Sequence, residues 1–183
     1  MGGLLSFFWG AGPESAGLDV ADPATGLTPR QKRYVTDTWA LVKKDLRGSG
    51  IAVLHTFFTD FPEYTKYFNA FKDVPIKDLP TNKKFQAHSH SVIYALSSVV
   101  DNLDDTGVLV EMLNKLGENH GRRNITPKQF QDLKGVILKV LKAKLGKVMT
   151  PDAEEAWSKT LDVAYSIIFK GMENVKKNDH IIS

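Results

Sequence analysis

From residue 28 onward the apolar positions of this chain recur at three- and four-residue spacing, almost without a break. That period gathers one stripe per segment onto a common helical face. Val35, Trp39, Val42 and Leu46 form the first stripe, after Thr28-Pro29. Ile51, Leu54, Phe58 and Phe61 form the second, and Gly48-Ser49-Gly50 between them reads as a tight corner. Pro62 stops the second helix, because proline removes an N–H and clashes with the preceding turn. A short turn through Tyr67-Phe68 follows, then a loop or short helix over 69–80 with Phe71, Pro75 and Pro80. Phe85, His88, Val92, Leu96, Val99 and Leu103 predict a long helix from Asn82 to Asn102. Leu109, Met112, Leu113 and Leu116 predict the next, whose inward face ends one turn later at His120. Gly121 is expected to terminate it, since glycine is cheap at the left-handed position after a helix. Phe130, Leu133, Ile137, Leu141 and Leu145 mark a helix opening at Pro127. Trp157, Leu161, Ala164, Ile168 and Val175 mark the last, from Pro151 to Lys176.

Three of these helices begin on Thr-Pro, at 28–29, 126–127 and 150–151. Threonine caps the first free N–H groups, and proline at the first helical position loses no bond there. Gln31 and Gln129 stand three residues on and complete capping boxes. Strand-like alternation is rare and no internal repeat is found. The pattern is that of an all-α domain of seven to eight helices over residues 28–176, with 177–183 a frayed tail.

Residues 1–27 differ. Gly and Ala are frequent, Pro13 and Pro23 interrupt, and Glu14, Asp19 and Asp22 stand without a Lys or Arg. They read as a flexible extension with an apolar tip, Leu4-Leu5-Ser6-Phe7-Phe8-Trp9. The tip lacks the basic start and apolar length of a signal peptide. Met1-Gly2-Gly3-Leu4-Leu5-Ser6 fits the N-myristoylation pattern, with Gly2 as the acceptor. One acyl chain anchors only marginally, so membrane contact through residues 1–9 would be weak and would need Phe7, Phe8 and Trp9. The extension carries −3 of a net charge of +3, which leaves the remainder basic. Its Lys and Arg are scattered over helix positions that face water, not gathered into a nucleic-acid stripe. The chain has no cysteine, which excludes disulfides, thiolate metal sites and cysteine nucleophiles and fits a reducing, cytoplasmic setting. No apolar run reaches the length of a membrane span.

Candidate chemistry rests on two inward histidines. His120 stands where a leucine would be the default, and His88 does the same on another helix. A neutral imidazole offers a lone pair to a metal, or it is a core histidine satisfied by a hydrogen bond. His90 lies about 200° around the helix from His88 and cannot share a metal with it. His55 lies beside its stripe and His180 in the terminal tail. No phosphate loop, HExxH or Gly-x-Ser-x-Gly is present. Asp104-Asp105 and Glu154-Glu155 sit at helix starts, where the helix dipole accounts for them. A cofactor between the two histidines would supply the missing chemistry.

From Leu27 to Val175 the chain resembles the globin family, in particular its invertebrate, cytoglobin-like and neuroglobin-like members. The resemblance rests on Trp39 in the first helix and on Pro62 followed by Phe68. It rests also on Phe85-Gln-Ala-His88-Ser-His-Ser-Val92, on Leu116-Gly-Glu-Asn-His120, and on Ala156-Trp157 with Ile167-Ile168-Phe169. It implies a globin fold around heme b, with His120 as proximal iron ligand and His88 as distal histidine, toward iron or bound dioxygen. Phe68, Phe71, Leu54, Phe85, Val92, Leu116, Ile125, Phe130 and Leu133 would line the pocket. Leu54 stands where some relatives carry a tyrosine donor, which leaves His88 as the main polar group. Arg122 or Arg123 would meet the porphyrin propionates. The implied function is reversible binding of dioxygen and other diatomic gases for storage, transport or facilitated diffusion, not catalysis. The alternative is a six-coordinate redox globin, acting in nitric oxide or nitrite chemistry, electron transfer or membrane-tethered sensing. A heme-free helical module would have no use for both histidines. Oligomeric state is not readable from the pattern.

Overall fold

Each Thr-Pro pair opens a helix. The computed structural model describes residues 19–182, with side chains through residue 175. Six α-helices occur among them: α1 (Pro29–Val42), α2 (Leu46–Asp60), α3 (Lys83–Asp101), α4 (Thr106–Gly121), α5 (Pro127–Leu145) and α6 (Pro151–Ile182). Four 3-10 segments join them, at Lys43–Asp45, Pro62–Tyr67, Ile76–Thr81 and Gly146–Val148, and the described residues contain no strand. At α1 the Thr28 hydroxyl accepts from the Gln31 backbone N–H, and the Gln31 side-chain Oε1 accepts from the Thr28 backbone N–H. Gln129 accepts from the Thr126 N–H at α5, and Thr150 accepts from the Ala153 N–H at α6. The last helix continues through Ile182, past the point where the residue pattern suggested fraying.

The core is built where α1, α3, α4, α5 and α6 turn their apolar faces together. Its centre is the pair Trp39 and Trp157, both fully buried with ring centroids 5.4 Å apart. Each indole N–H must find an acceptor once desolvated. Trp39 donates to the Ser97 hydroxyl at 2.9 Å, and Trp157 donates to the Thr38 hydroxyl at 2.8 Å. A second cluster, Leu54, Phe57, Phe58, Tyr64, Phe71, Leu79 and Phe85, seats the 3-10 segments against α2 and α3.

Several expectations need correction. Gly48-Ser49-Gly50 is not a corner: the chain bends at Lys43–Asp45, Asp45 caps α2 through the Gly48 N–H, and both glycines are helical. Gly50 is required by packing, because a Cβ there would lie 2.7 Å from the Ser89 carbonyl of α3. Gly121 likewise ends α4 without a left-handed turn. That conformation belongs to Asn124, at φ 57°, and a Cβ on Gly121 would meet the Met172 backbone of α6 at 3.2 Å. Met112 faces water at 40% exposure, because Leu109 and Leu113 already fill the inward stripe. At the other end of the domain, Leu27 is fully buried in the core and Thr25 is buried beside it, so the last residues of the acidic stretch join the folded unit. Salt bridges Asp19–Arg30 and Asp22–Lys32 hold that turn on α1.

Candidate functional site

His120 occupies the last turn of α4, and α4 is held in place by glycines. A Cβ on Gly117 would sit 2.0 Å from the Ile168 carbonyl, and one on Gly171 would sit 2.3 Å from the Asn114 carbonyl. Only hydrogen at these positions lets α4 and α6 touch backbone to backbone. The residue pattern did not reveal this. A Gly117-x-x-x-Gly121 spacing was the available signal. One turn behind His120, the Leu116 carbonyl accepts from its Nδ1 at 2.9 Å. A carbonyl cannot donate, so Nδ1 carries the proton and Nε2 keeps its lone pair. The ring packs edge-on against Phe130 of α5, with centroids 5.2 Å apart.

His88 lies in the second turn of α3, opposite. Its ring sits 4.9 Å from Phe68 and 6.4 Å from Phe71. Burial, together with the nearby His120 and Arg123 charges, lowers its pKa to about 4. Burial also lowers the His120 pKa, against the hydrogen bond to Leu116, with Arg123 adding to the fall. Both imidazoles are therefore neutral and able to give a lone pair at neutral pH. Among the described residues no three His, Asp or Glu converge on a metal. Two imidazoles alone make a poor zinc site, which takes at least three protein ligands. The pair suits an ion that brings its own equatorial ligands.

Between the histidines is a cavity of about 590 Å³, within the range of small-molecule and cofactor sites. Leu54, Phe68, Val92, Leu116, Ile125, Phe130 and Leu133 line it together with His88 and His120. Phe71 and Phe85 do not: they stand behind the wall. Phe71 stacks on Phe68 at 5.1 Å, and Phe85 meets Phe71 edge-on at 5.6 Å. Their work is to brace Phe68, because aromatic pairs in these orientations add to simple area burial. Of the two candidate arginines, Arg123 lines the cavity and Arg122 does not; Arg122 reaches toward Glu118 at 3.7 Å. Gly2 lies outside the described residues.

The cavity extends further than the residue pattern indicated. Leu161, Ala164, Tyr165 and Ile168 of α6 form its back wall. Tyr64 and Tyr67 lie at its other side, and the Tyr64 hydroxyl donates to Asp132. Leu161, Ala164 and Ile168 belong to a stripe already read as core, and no pattern separates a core position from one facing a void. Two buried polar atoms among the described residues lack a partner, the Tyr165 hydroxyl and His55 Nε2. An apolar void flanked by two neutral imidazoles, with an arginine among its lining residues, fits a flat, mostly apolar, anionic-edged metal macrocycle.

Residues 51–168 match the family model described as Globin. The chain is 31% identical to Cytoglobin-1 of Danio rerio over 169 residues, which is 88% of this chain and 97% of that protein. It is 35% identical to Globin-1 of Anadara inaequivalvis, over 68% of this chain and 84% of that one. In structure it is similar to the hexa-coordinate hemoglobin of Drosophila melanogaster, solved in connection with cyanide binding and heme-cavity transitions. The TM-score there is 0.74 and the identity 30%, over 79% of this chain and 94% of that chain. No helix among the described residues is long and apolar enough to cross a membrane.

Proposed function

The chain belongs to the globin family, and on that premise we propose that it holds heme b between His120 and His88 and binds dioxygen or another diatomic gas reversibly. The observation that carries this reading is the His120 Nδ1 hydrogen bond to Leu116, which leaves Nε2 free in an imidazole that lines the cavity. Heme, when bound, would supply the iron that takes the gas, and the free Nε2 of His120 would hold that iron. The bond to Leu116 fixes its tautomer and restrains the ring, while the α4–α6 glycine contact fixes the helix beneath it. His88 is a polar group of the cavity lining and would offer one hydrogen bond to a gas held there. Leu54 adds no second donor. Phe68, Val92 and Leu133 exclude water, and Arg123 offers a cation to a carboxylate at the cavity edge.

A second reading has its own support. The Drosophila relative is hexa-coordinate, and in this chain desolvation lowers the pKa of the half-buried His88 to about 4, so its imidazole is neutral. On this reading His88 would hold the iron together with His120, which suits redox or nitrogen-oxide chemistry. Two measurements test the proposal. His120→Gly should lose most of its heme on gel filtration, and added imidazole should restore it; full retention without imidazole would sink the assignment. The deoxy ferrous spectrum separates the readings. A broad five-coordinate band supports an open gas site, and sharp split bands support His88 ligation.

A further inference from the structure

One apolar surface is left over once the cavity is assigned. On α4, Val108 and Met112 stand one turn apart at 45% and 40% exposure, and Tyr94 of α3 is 48% exposed. Between the two helices runs a groove of about 140 Å³, lined by Ala95 and Ser98 on one side and Leu109 and Met112 on the other. Of these three Met112 lines the groove, with Val108 one turn before it on α4 and Tyr94 beside Ala95 in the chain; an exposed apolar face of this kind is a place for a contact.

The chain itself supplies an occupant. Lys32 bridges Asp22 at 2.7 Å and Asp104 at 2.8 Å. Asp104 lies two residues before α4 begins. The first described turn is therefore pinned at the head of the helix that carries the groove. From Asp104 to Met112 is about 12 Å along a helix. Residues 10–18, Gly-Ala-Gly-Pro-Glu-Ser-Ala-Gly-Leu, have no charge but Glu14. Nine residues reach up to about 30 Å. Beyond them lies Leu4-Leu5-Ser6-Phe7-Phe8-Trp9, an apolar tip that has no role in the cavity. We propose that this tip docks in cis on the groove between α3 and α4. A second copy or a membrane would need no such tether at Asp104. Leu113 and Leu116 line both the groove and the large cavity. The docked tip would therefore press on the helix that carries His120, one side-chain layer from the cofactor site. The proposal stands on the surface and the tether, not on heme.

The native chain contains no cysteine, so introduced thiols report cleanly. In full-length protein, Met112→Cys should react with a thiol reagent about tenfold faster once Phe7, Phe8 and Trp9 are changed to Ser, as expected when a covering segment is released. In the doubly substituted chain Phe8→Cys with Met112→Cys, diamide oxidation should give a disulfide within one chain. Leu5→Cys and Trp9→Cys, each paired with Met112→Cys, cover neighbouring registers. Equal labelling rates in the two backgrounds would overturn the proposal. So would protection that grows with protein concentration, disulfides only between chains, or protection seen only with phospholipid vesicles.

Discussion

Tyr165 buries its ring at 4% exposure, yet its hydroxyl finds no acceptor among its neighbours. Burial pushes its pKa far up, so it stays protonated. A desolvated hydroxyl without a partner costs about 1–3 kcal/mol. Tyr165→Phe should therefore raise the stability of the heme-free chain by about 1 kcal/mol in urea unfolding. A loss instead would mean that the hydroxyl bonds to something in the cavity. Asp132 is the contrasting case. Burial raises its pKa, but Lys128 and Tyr64 outweigh that, and the carboxyl ends below its ordinary 3.8. A depressed folded pKa adds stability above the unfolded value and loses it as the pH falls through the folded one. Asp132→Asn should shrink the stability difference between neutral and strongly acid solution by about 1 kcal/mol, read from urea midpoints at both pH values. At this scale the histidines were the most legible feature, because an imidazole on an apolar stripe departs from the pattern. Phe71 and Phe85 were not separable from Phe68 by spacing, since all three are apolar and only their depth behind the wall differs.

Helices meet closely where glycine removes the side chain between them, and that governs the element scale. Gly117→Ala would drive a Cβ into the Ile168 carbonyl. The expected cost is about 2–3 kcal/mol, as for an overpacked core. Because His120 stands one turn further on, heme retention should weaken as well. Gly135 gives the opposite sign: it is helical in α5 with nothing within 4 Å of a Cβ. Gly135→Ala should stabilise by about 0.5–1 kcal/mol, since alanine loses less backbone freedom in a helix. Thermal unfolding of both variants checks the pair. The residue pattern misread Gly48 and Gly50 as a corner and gave Gly121, which does end its helix, a left-handed turn it does not make, for the reason that glycine in sequence carries no sign of whether a turn or a neighbouring helix requires it. Helix starts were legible, because Thr-Pro-x-Gln carries its own cap locally.

For the whole molecule, α3 brings His88 and α4 brings His120 to one cavity only when α5 and α6 close behind them. A cofactor that binds this assembly and not the unfolded chain must stabilise it by mass action. Hemin at about a hundred times its Kd should add about 2.7 kcal/mol to the unfolding free energy. The gain should vanish in His88→Leu/His120→Leu; an undiminished gain would place the cofactor elsewhere. The same closure seats the first described turn: Leu27 enters the core, and Lys32 of α1 bridges Asp22 and Asp104.

The residue pattern alone determined that the chain is all-α, where most helices begin, and which two histidines stand on inward faces. Those are local properties: a 3.6-residue period, a cap or a misplaced polar group is written within a few residues. Only the tertiary structure decided which aromatic residues touch the cavity, which glycines serve helix contacts, and that α6 forms the back wall. Each of these depends on the distance between segments far apart in the chain. His120 was visible as an imidazole, but the proton on Nδ1 is assigned by the Leu116 carbonyl, and the cavity before it exists only because five helices stop short of filling it.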